Sequence, residues 1–305
     1  MATTATTSVL LVGATSPIGH ALSRLLLQRG HRLRVLTRAP SAPALRALQG
    51  LGAALLETPD DDAELSRLCQ EADALVLAPA LGFDPAPELE RLGGLIDLAG
   101  AAAAGGGPAH LVLVSAASAD ESTGVPYLDA CFRLERRAAG SGLPFSVVRP
   151  VLLMESLLSA PFLRPFGGGV LELPLPPWRR VMWAAALDVA EATARVVEEP
   201  ERFVWRVLEV AGDVRSPAKA ALALSAALGR ELEPRAPAPE RLLELDPELV
   251  ALFAWLDDAG HHVDIDAVRA TFPALPVGSL EAWARSLDLE LLDLARAPSG
   301  APSRR

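Results

Sequence analysis

The sequence predicts an α/β protein: a doubly wound parallel sheet with a smaller, mostly helical C-terminal lobe. Three observations carry this expectation. Short apolar runs alternate with helical patterns through the first 150 residues. The runs are continuously apolar, as strands covered on both faces must be. A glycine turn links the first run to the first helix in "SVLLVGATSPIGHAL", residues 8–22.

The elements follow in order. "SVLLVG" (8–13) reads as a buried strand. In "IGHALSRLLLQRG" (18–30), Ile18, Leu22, Leu25 and Leu26 share one helical face, and Gly30 marks the stop. "RLRVLTR" (32–38) is a strand, "APALRALQGLG" a helix and "AALLET" a strand. "DDAELSRLCQEA" opens with acidic residues that suit a helix N-terminus; the aspartates at 60–62 solvate that start. "DALVLAPA" is a strand, "PELERLGGLIDLAGAAAAGG" a long helix and "AHLVLVSAAS" a strand. "PYLDACFRLERRAAGSG" and "PFSVVRP" add a helix and a strand. The expected division places a nucleotide-binding domain in residues 1–150. Residues 151–305 supply the remaining sheet elements and a small lobe for substrate or partner. There "LELPLPPW" and "PRAPAPE" read as connectors, "AALDVAEATARVVEEP" as a helix and "FVWRVLEVAG" as a strand. "SPAKAALALSAALG" and "PERLLELDPELVALFAWLDDAG" read as helical.

Composition narrows the function. The 305 residues carry a formal charge of −10, which argues against a nucleic-acid footprint; "RPFGGG" and "WRR" are the only short basic candidates. No apolar run reaches the roughly 18–20 residues that span a bilayer, and no basic segment precedes Arg24 to suggest a signal peptide. A soluble, cytoplasmic protein without membrane contact is expected. Cys69 and Cys131 form neither a disulfide framework nor a metal cluster, and the histidines lack metal-ligand spacing, so no metal is expected. Of 28 basic residues only Lys219 is lysine, and Tyr127 is the only tyrosine.

The glycine turn points to a nucleotide. Gly13 allows a tight turn after the strand, and Gly19 allows helix and sheet to approach. Between them the backbone of Thr15, Ser16 and Ile18 and the helix N-terminus face a phosphate. Ser16 stands where such turns often carry glycine; it would be strained at positive φ, yet its hydroxyl can donate to phosphate. Where an acidic residue would select NAD, the second strand ends in Thr37 and Arg38. A guanidinium suits a 2′-phosphate, so NADP(H) is favoured over NAD(H).

With these residues in view, the chain resembles the NmrA-like members of the atypical short-chain dehydrogenase/reductases. "GATSPIGHAL" is similar to that family's GATGxxG opening, and "GLPFSVVRPVLLMES" to its LPYTILRP-type stretch. "DALVLAPA", "AHLVLVSAAS", "ALDVAEATARVVEEP", "SPAKAALALSAALGREL" and "WLDDAGHHVDIDAVRATFPALPVGSLEAWARS" follow in the family's order. The resemblance implies a Rossmann core, with Ala78 and Pro79 at the loop on the nicotinamide side. It also implies either a small-molecule reductase or a redox-sensing regulator that binds a protein partner. Thr58 falls where relatives often carry an acidic residue near the adenine. In the wider superfamily a tyrosine moves a proton while a lysine four residues on holds the ribose and lowers the tyrosine's pKa. Here the tyrosine position is Tyr127 and the lysine position is Cys131. Tyr127 is then a catalytic acid or a pocket-lining residue, and Ser115 either faces the nicotinamide or caps the strand end. The expected activity is NADP(H)-dependent reduction of a small, fairly apolar molecule such as a quinone or activated double bond; the alternative is a non-catalytic NADP(H) sensor. An epimerase is disfavoured, because that chemistry uses the tyrosine–lysine pair.

Overall fold

The computed structural model describes residues 6–79, 86–103, 107–159, 162 and 168–287. Arg164 of "RPFGGG", Ala80 of "DALVLAPA" and residues 104–106 of the long helix lie outside them. The first half alternates as expected. β1 (Ser8–Val12) leads into α1 (Pro17–Gln28), where Pro17 takes a first-turn position that needs no backbone donor. β2 (Arg32–Thr37), α2 (Pro43–Gly50), β3 (Ala54–Glu57) and α3 (Asp62–Gln70) follow. Asp61 caps α3 by accepting the Ala63 N–H. β4 (Ala74–Leu77), α4 (Ala86–Ala102), β5 (His110–Val114), α5 (Pro126–Gly140) and β6 (Phe145–Pro150) complete the alternation.

Beyond it come β7 (Leu152–Leu153), β8 (Val170–Glu172), β9 (Val181–Ala184), α6 (Ala186–Glu198), α7 (Pro200–Phe203) and β10 (Val207–Val210). β11 (Asp213–Arg215), α8 (Pro217–Leu228), β12 (Glu233–Arg235), α9 (Pro239–Leu242), α10 (Pro247–Asp258), α11 (Ile265–Thr271) and α12 (Leu280–Ser286) end the described chain. Two boundaries differ from the sequence reading. The strand expected from Phe203 begins only at Val207, because Pro200 starts a short helix and Trp205 turns at φ +66°. The helical stretch 239–260 breaks at Asp246-Pro247: Pro247 disfavours helix in the residue before it, and Asp246 then caps α10.

The chain divides into two compact units. The first gathers residues 1–151, 186–211 and 261–276. Its sheet has seven parallel strands in the order β10-β6-β5-β4-β1-β2-β3. Side chains alternate across it. Leu10, Val12, Leu75, Leu111 and Leu113 pack with Leu92 and Ile96 of α4 and Leu134 of α5. The other face meets α6, and α6 also lies along α1. Arg29 pairs with Glu191 and Glu198 of α6, and His31 reaches Glu198 at 3.0 Å. Strand order reverses between β1 and β4, which opens a crevice at their carboxyl ends.

The second unit takes residues 152–185, 212–260 and 277–305. It holds two small sheets, β11-β9-β7 and β12-β8, with α8, α10 and α12 packed around Trp183, Phe253 and Trp283. "LELPLPPW" is more than a connector: Leu171, Leu173 and Leu175 alternate into this core, and Leu171 and Glu172 pair with β12. Arg179 of "WRR" is tied to the carbonyls of Leu256 and Asp258. Among the described residues no helix is long and apolar enough to cross a membrane.

Candidate functional site

The site grows from the turn after β1. Gly13 has φ +94°, and a Cβ there would lie 1.7 Å from the Ala78 carbonyl oxygen. Only glycine lets β1 and β4 part this closely. The Ala78 N–H donates to Val12 O at 2.9 Å, so the sequence-predicted Ala78 and Gly13 share one seam; Ala78 and Pro79 are both buried there. The turn closes through Ser16 N to Gly13 O at 3.0 Å. A Cβ on Gly19 would meet Gly13 O at 2.1 Å, so the second glycine lets α1 sit on the turn. Thr15 is exposed at the tip, and Ile18 is buried.

Ser16 corrects one expectation. Its φ of −70° is unstrained. Its hydroxyl is buried and caps α1, accepting the Gly19 N–H at 2.9 Å and lying 3.4 Å from Ala78 O. It therefore organises the turn rather than projecting toward a phosphate. Anion binding here falls to the backbone and the helix N-terminus.

Beside the turn, at the ends of β2 and β3, lies a cleft of about 290 Å³. Thr37 and Arg38 line it, as does Thr58, whose buried Oγ1 has no partner. Thr37 Oγ1 accepts the Ala39 N–H, and the Arg38 guanidinium stands largely free in solvent. Two residues that the sequence reading passed over complete the wall, Glu88 and Arg91 of α4. Glu88 holds Arg91 by a two-point pair at 2.8 and 3.1 Å, and its other approach is to Arg38 at 3.9 Å.

The carboxyl end of β5 carries the remaining candidates. The Ser115 N–H continues the sheet to Val148 O at 2.8 Å, while its buried Oγ makes no hydrogen bond of good geometry. Tyr127 and Cys131 lie one turn apart on α5. Cys131 is fully buried; burial pushes its thiol up to about 12, offset in part by the Tyr127 and Ser115 hydroxyls beside it. The fold thus brings Ser115, Tyr127 and Cys131 together. Tyr127 is half-buried as a residue, and its hydroxyl sits in the interior against Cys131. Burial holds its pKa well above 10, and Cys131 adds to the rise. A cationic neighbour would act in the opposite direction.

The nearby cation is Arg149 of β6, and it is already committed. It grips Glu135, one turn beyond Cys131, at 2.9 and 2.6 Å, and lies 3.6 Å from Asp120. Lys219 is exposed on α8 in the second unit. His261, which the sequence left in an uninformative loop, comes within 3.1 Å of Ser118 Oγ by its Nδ1. Ser118 itself has φ +64°, a sparse conformation for serine. Burial holds His261 neutral, with its pKa down at about 4. Asp129 shapes the approach to α5 by accepting the N–H groups of Thr123 and Gly124. Among the described residues no group of His, Cys, Asp and Glu could hold a metal ion.

Sheet order, switch-point crevice and glycine turn together define a Rossmann-like α/β protein. The NmrA-like family matches residues 5–273, and the chain belongs to that family. Comparison of the sequence with curated proteins returns no match. Among solved structures, NmrA, a negative transcriptional regulator, in complex with NADP superimposes with a TM-score of 0.74 at 18% identity, over 97% of this chain and 99% of that one. NmrA in complex with NAD gives 0.73 at 18% identity, over 95% and 98%. Triphenylmethane reductase from Citrobacter sp., complexed with NADP(H), gives 0.73 at 15% identity, over 91% and 99%. At such identities the likeness is one of fold.

Proposed function

We propose that the chain binds a nicotinamide dinucleotide across the carboxyl ends of β1, β2, β4 and β5, NADP(H) in preference to NAD(H). The residues present fit such a group. Gly13 and Gly19 keep side chains out of the turn so that its backbone is bare beside the cleft, and the buried hydroxyl of Thr58 in that cleft is unmet. The turn from Gly13 to Gly19 would hold the pyrophosphate, Arg38 and Arg91 a 2′-phosphate, and Thr58 the adenine side. Ser115 and the loop of Ala78 and Pro79 would border the nicotinamide. NmrA and triphenylmethane reductase were both solved with such nucleotides.

The activity favoured is reduction of a small apolar acceptor, a quinone or an activated double bond. A bound NADPH would supply the hydride. The observation that carries this reading is the Ser115–Tyr127–Cys131 cluster. With no cation in contact, Tyr127 stays protonated across the physiological range and cannot act as a base. It can still orient an acceptor by donating a hydrogen bond. That suits acceptors whose proton comes from water and disfavours alcohol–carbonyl interconversion. The same cluster supports a second reading, a nucleotide sensor without turnover that binds a regulatory protein. The likeness to a negative transcriptional regulator over nearly the whole chain favours keeping it.

The test is calorimetric titration with NADPH, NADP, NADH and NAD, followed by a quinone and enone panel read by NADPH oxidation. Binding with turnover supports the reductase. Binding without turnover moves the assignment to the sensor. Absence of binding by all four nucleotides removes both.

A further inference from the structure

The wall of the cleft beyond β2 contains its own anion. Glu88, in the first turn of α4, is mostly buried and points its carboxylate at the two guanidiniums that line the cleft. It bonds Arg91 at both oxygens and stands 3.9 Å from Arg38 Nη2. The carboxylate therefore occupies the two-point face of Arg91 that a phosphate would need, while Arg38 stays exposed beside it. A two-point guanidinium–carboxylate pair has the same fork geometry as a guanidinium–phosphate pair, so the two anions compete for one set of N–H groups.

We infer that Glu88 is the residue that sets nucleotide discrimination, acting as an internal competitor for the 2′-phosphate and as an acceptor for a 2′-hydroxyl. The inference rests on the cleft being the ribose end of the nucleotide site. An incoming 2′-phosphate must displace Glu88 from Arg91 before it can use that arginine, and it meets the carboxylate's repulsion until it does. An incoming 2′-hydroxyl finds an acceptor already oriented by Arg91. One carboxylate thus lowers the advantage that two arginines give to NADP and raises the affinity for NAD. The site is built to accept both nucleotides with a modest preference. Two arginines alone would exclude NAD more strongly.

The experiment is calorimetric titration of the full chain with NADP and with NAD, for the wild type, Glu88→Gln and Arg91→Gln. Glu88→Gln keeps the side chain's shape and removes its charge. It should tighten NADP by about five- to tenfold, the effect of removing one competing partly buried charge, and weaken NAD. Arg91→Gln should weaken NADP, which loses a phosphate donor, and should also weaken NAD by a smaller factor, since Glu88 loses the partner that orients it toward the hydroxyl. Thermal melts establish that each variant is folded. An unchanged NADP-to-NAD affinity ratio in folded Glu88→Gln overturns the inference while leaving nucleotide binding intact. A wild-type protein that binds neither nucleotide overturns the site assignment itself, and the inference with it.

Discussion

Cys131→Lys places an ammonium beside Tyr127, and its outcome can be worked from the surroundings. Cys131 has no exposed surface, and its neighbours are the Tyr127 and Ser115 hydroxyls. Its nearest carboxylate, Glu135, is already gripped at two points by Arg149. A new ammonium would find hydroxyl acceptors but no free counter-charge. Burying it should destabilise the protein by about 3–5 kcal/mol, the range for an uncompensated interior charge. At about 2–4 °C per kcal/mol for a large domain, Tm should fall by roughly 6–20 °C. The sign with pH follows from linkage. Burial lowers the folded-state pKa of this lysine, so the unfolded chain binds more protons, and the deficit should narrow as pH rises toward the lysine's ordinary pKa near 10.4. Differential scanning fluorimetry of wild type and variant from pH 6 to pH 10 measures both effects. A variant as stable as wild type, with tighter NADPH binding and new carbonyl reduction, would refute the reasoning and show the pocket ready for a cation.

Three further outcomes are expected. Arg38→Asp should weaken NADPH by about 1.5–3 kcal/mol, the worth of a charged hydrogen bond, with less effect on NADH; equal NADPH affinity by titration would remove Arg38 from the site. Gly19→Val drives a side chain into the Gly13 carbonyl, so it should abolish nucleotide binding and lower stability by about 1–3 kcal/mol as the turn shifts. A folded variant that keeps full affinity would make the turn purely structural. His110 and His261 both have pKa values held down at about 4 by burial, so the unfolded chain takes up protons first on acidification. Stability should be full above about pH 6.5 and fall as pH drops toward 4. Melts across that window should show a shallower slope in His110→Gln, and an identical slope would exclude His110 as a source.

The parts of the candidate site that lie within one strand–turn–helix unit were legible in the sequence. Gly13, Gly19, Thr37 and Arg38 follow directly from element ends, because a strand's carboxyl terminus fixes where the next residues point. The Tyr127–Cys131 pair entered only through the family resemblance, which implied a tyrosine and a lysine position there, and Ser115 through the end of its strand. What escaped depends on packing between distant elements. Glu88 and Arg91 read as an ordinary amphipathic helix start, and only the return of α4 beside β2 turns their polar face into the cleft. His261 reaches Ser118 across 143 residues, with no local pattern to announce it. Ser16 was ambiguous for a different reason: serine serves equally as a phosphate donor and as a helix cap, and only the folded turn shows its hydroxyl accepting the Gly19 N–H. The leucines of "LELPLPPW" were hidden by prolines, which signal turns but do not prevent alternate side chains from entering a core.

The first unit is assembled from three separated stretches, and this orders its biogenesis. On the ribosome, β1 through β6 can pair as soon as residue 150 has emerged. The sheet's last strand cannot, since β10 joins β6 in register only after the 34 residues of 152–185 have been made. Until then β6 presents an unpaired edge, and the face of α1 that receives α6 stays bare. Arg29 waits 169 residues for Glu198. Such long-range closures are slow and leave nascent chains open to mispairing. A fragment truncated near residue 150 would freeze that vulnerable stage and should aggregate, so a soluble minimal version of this unit has to run through Pro276.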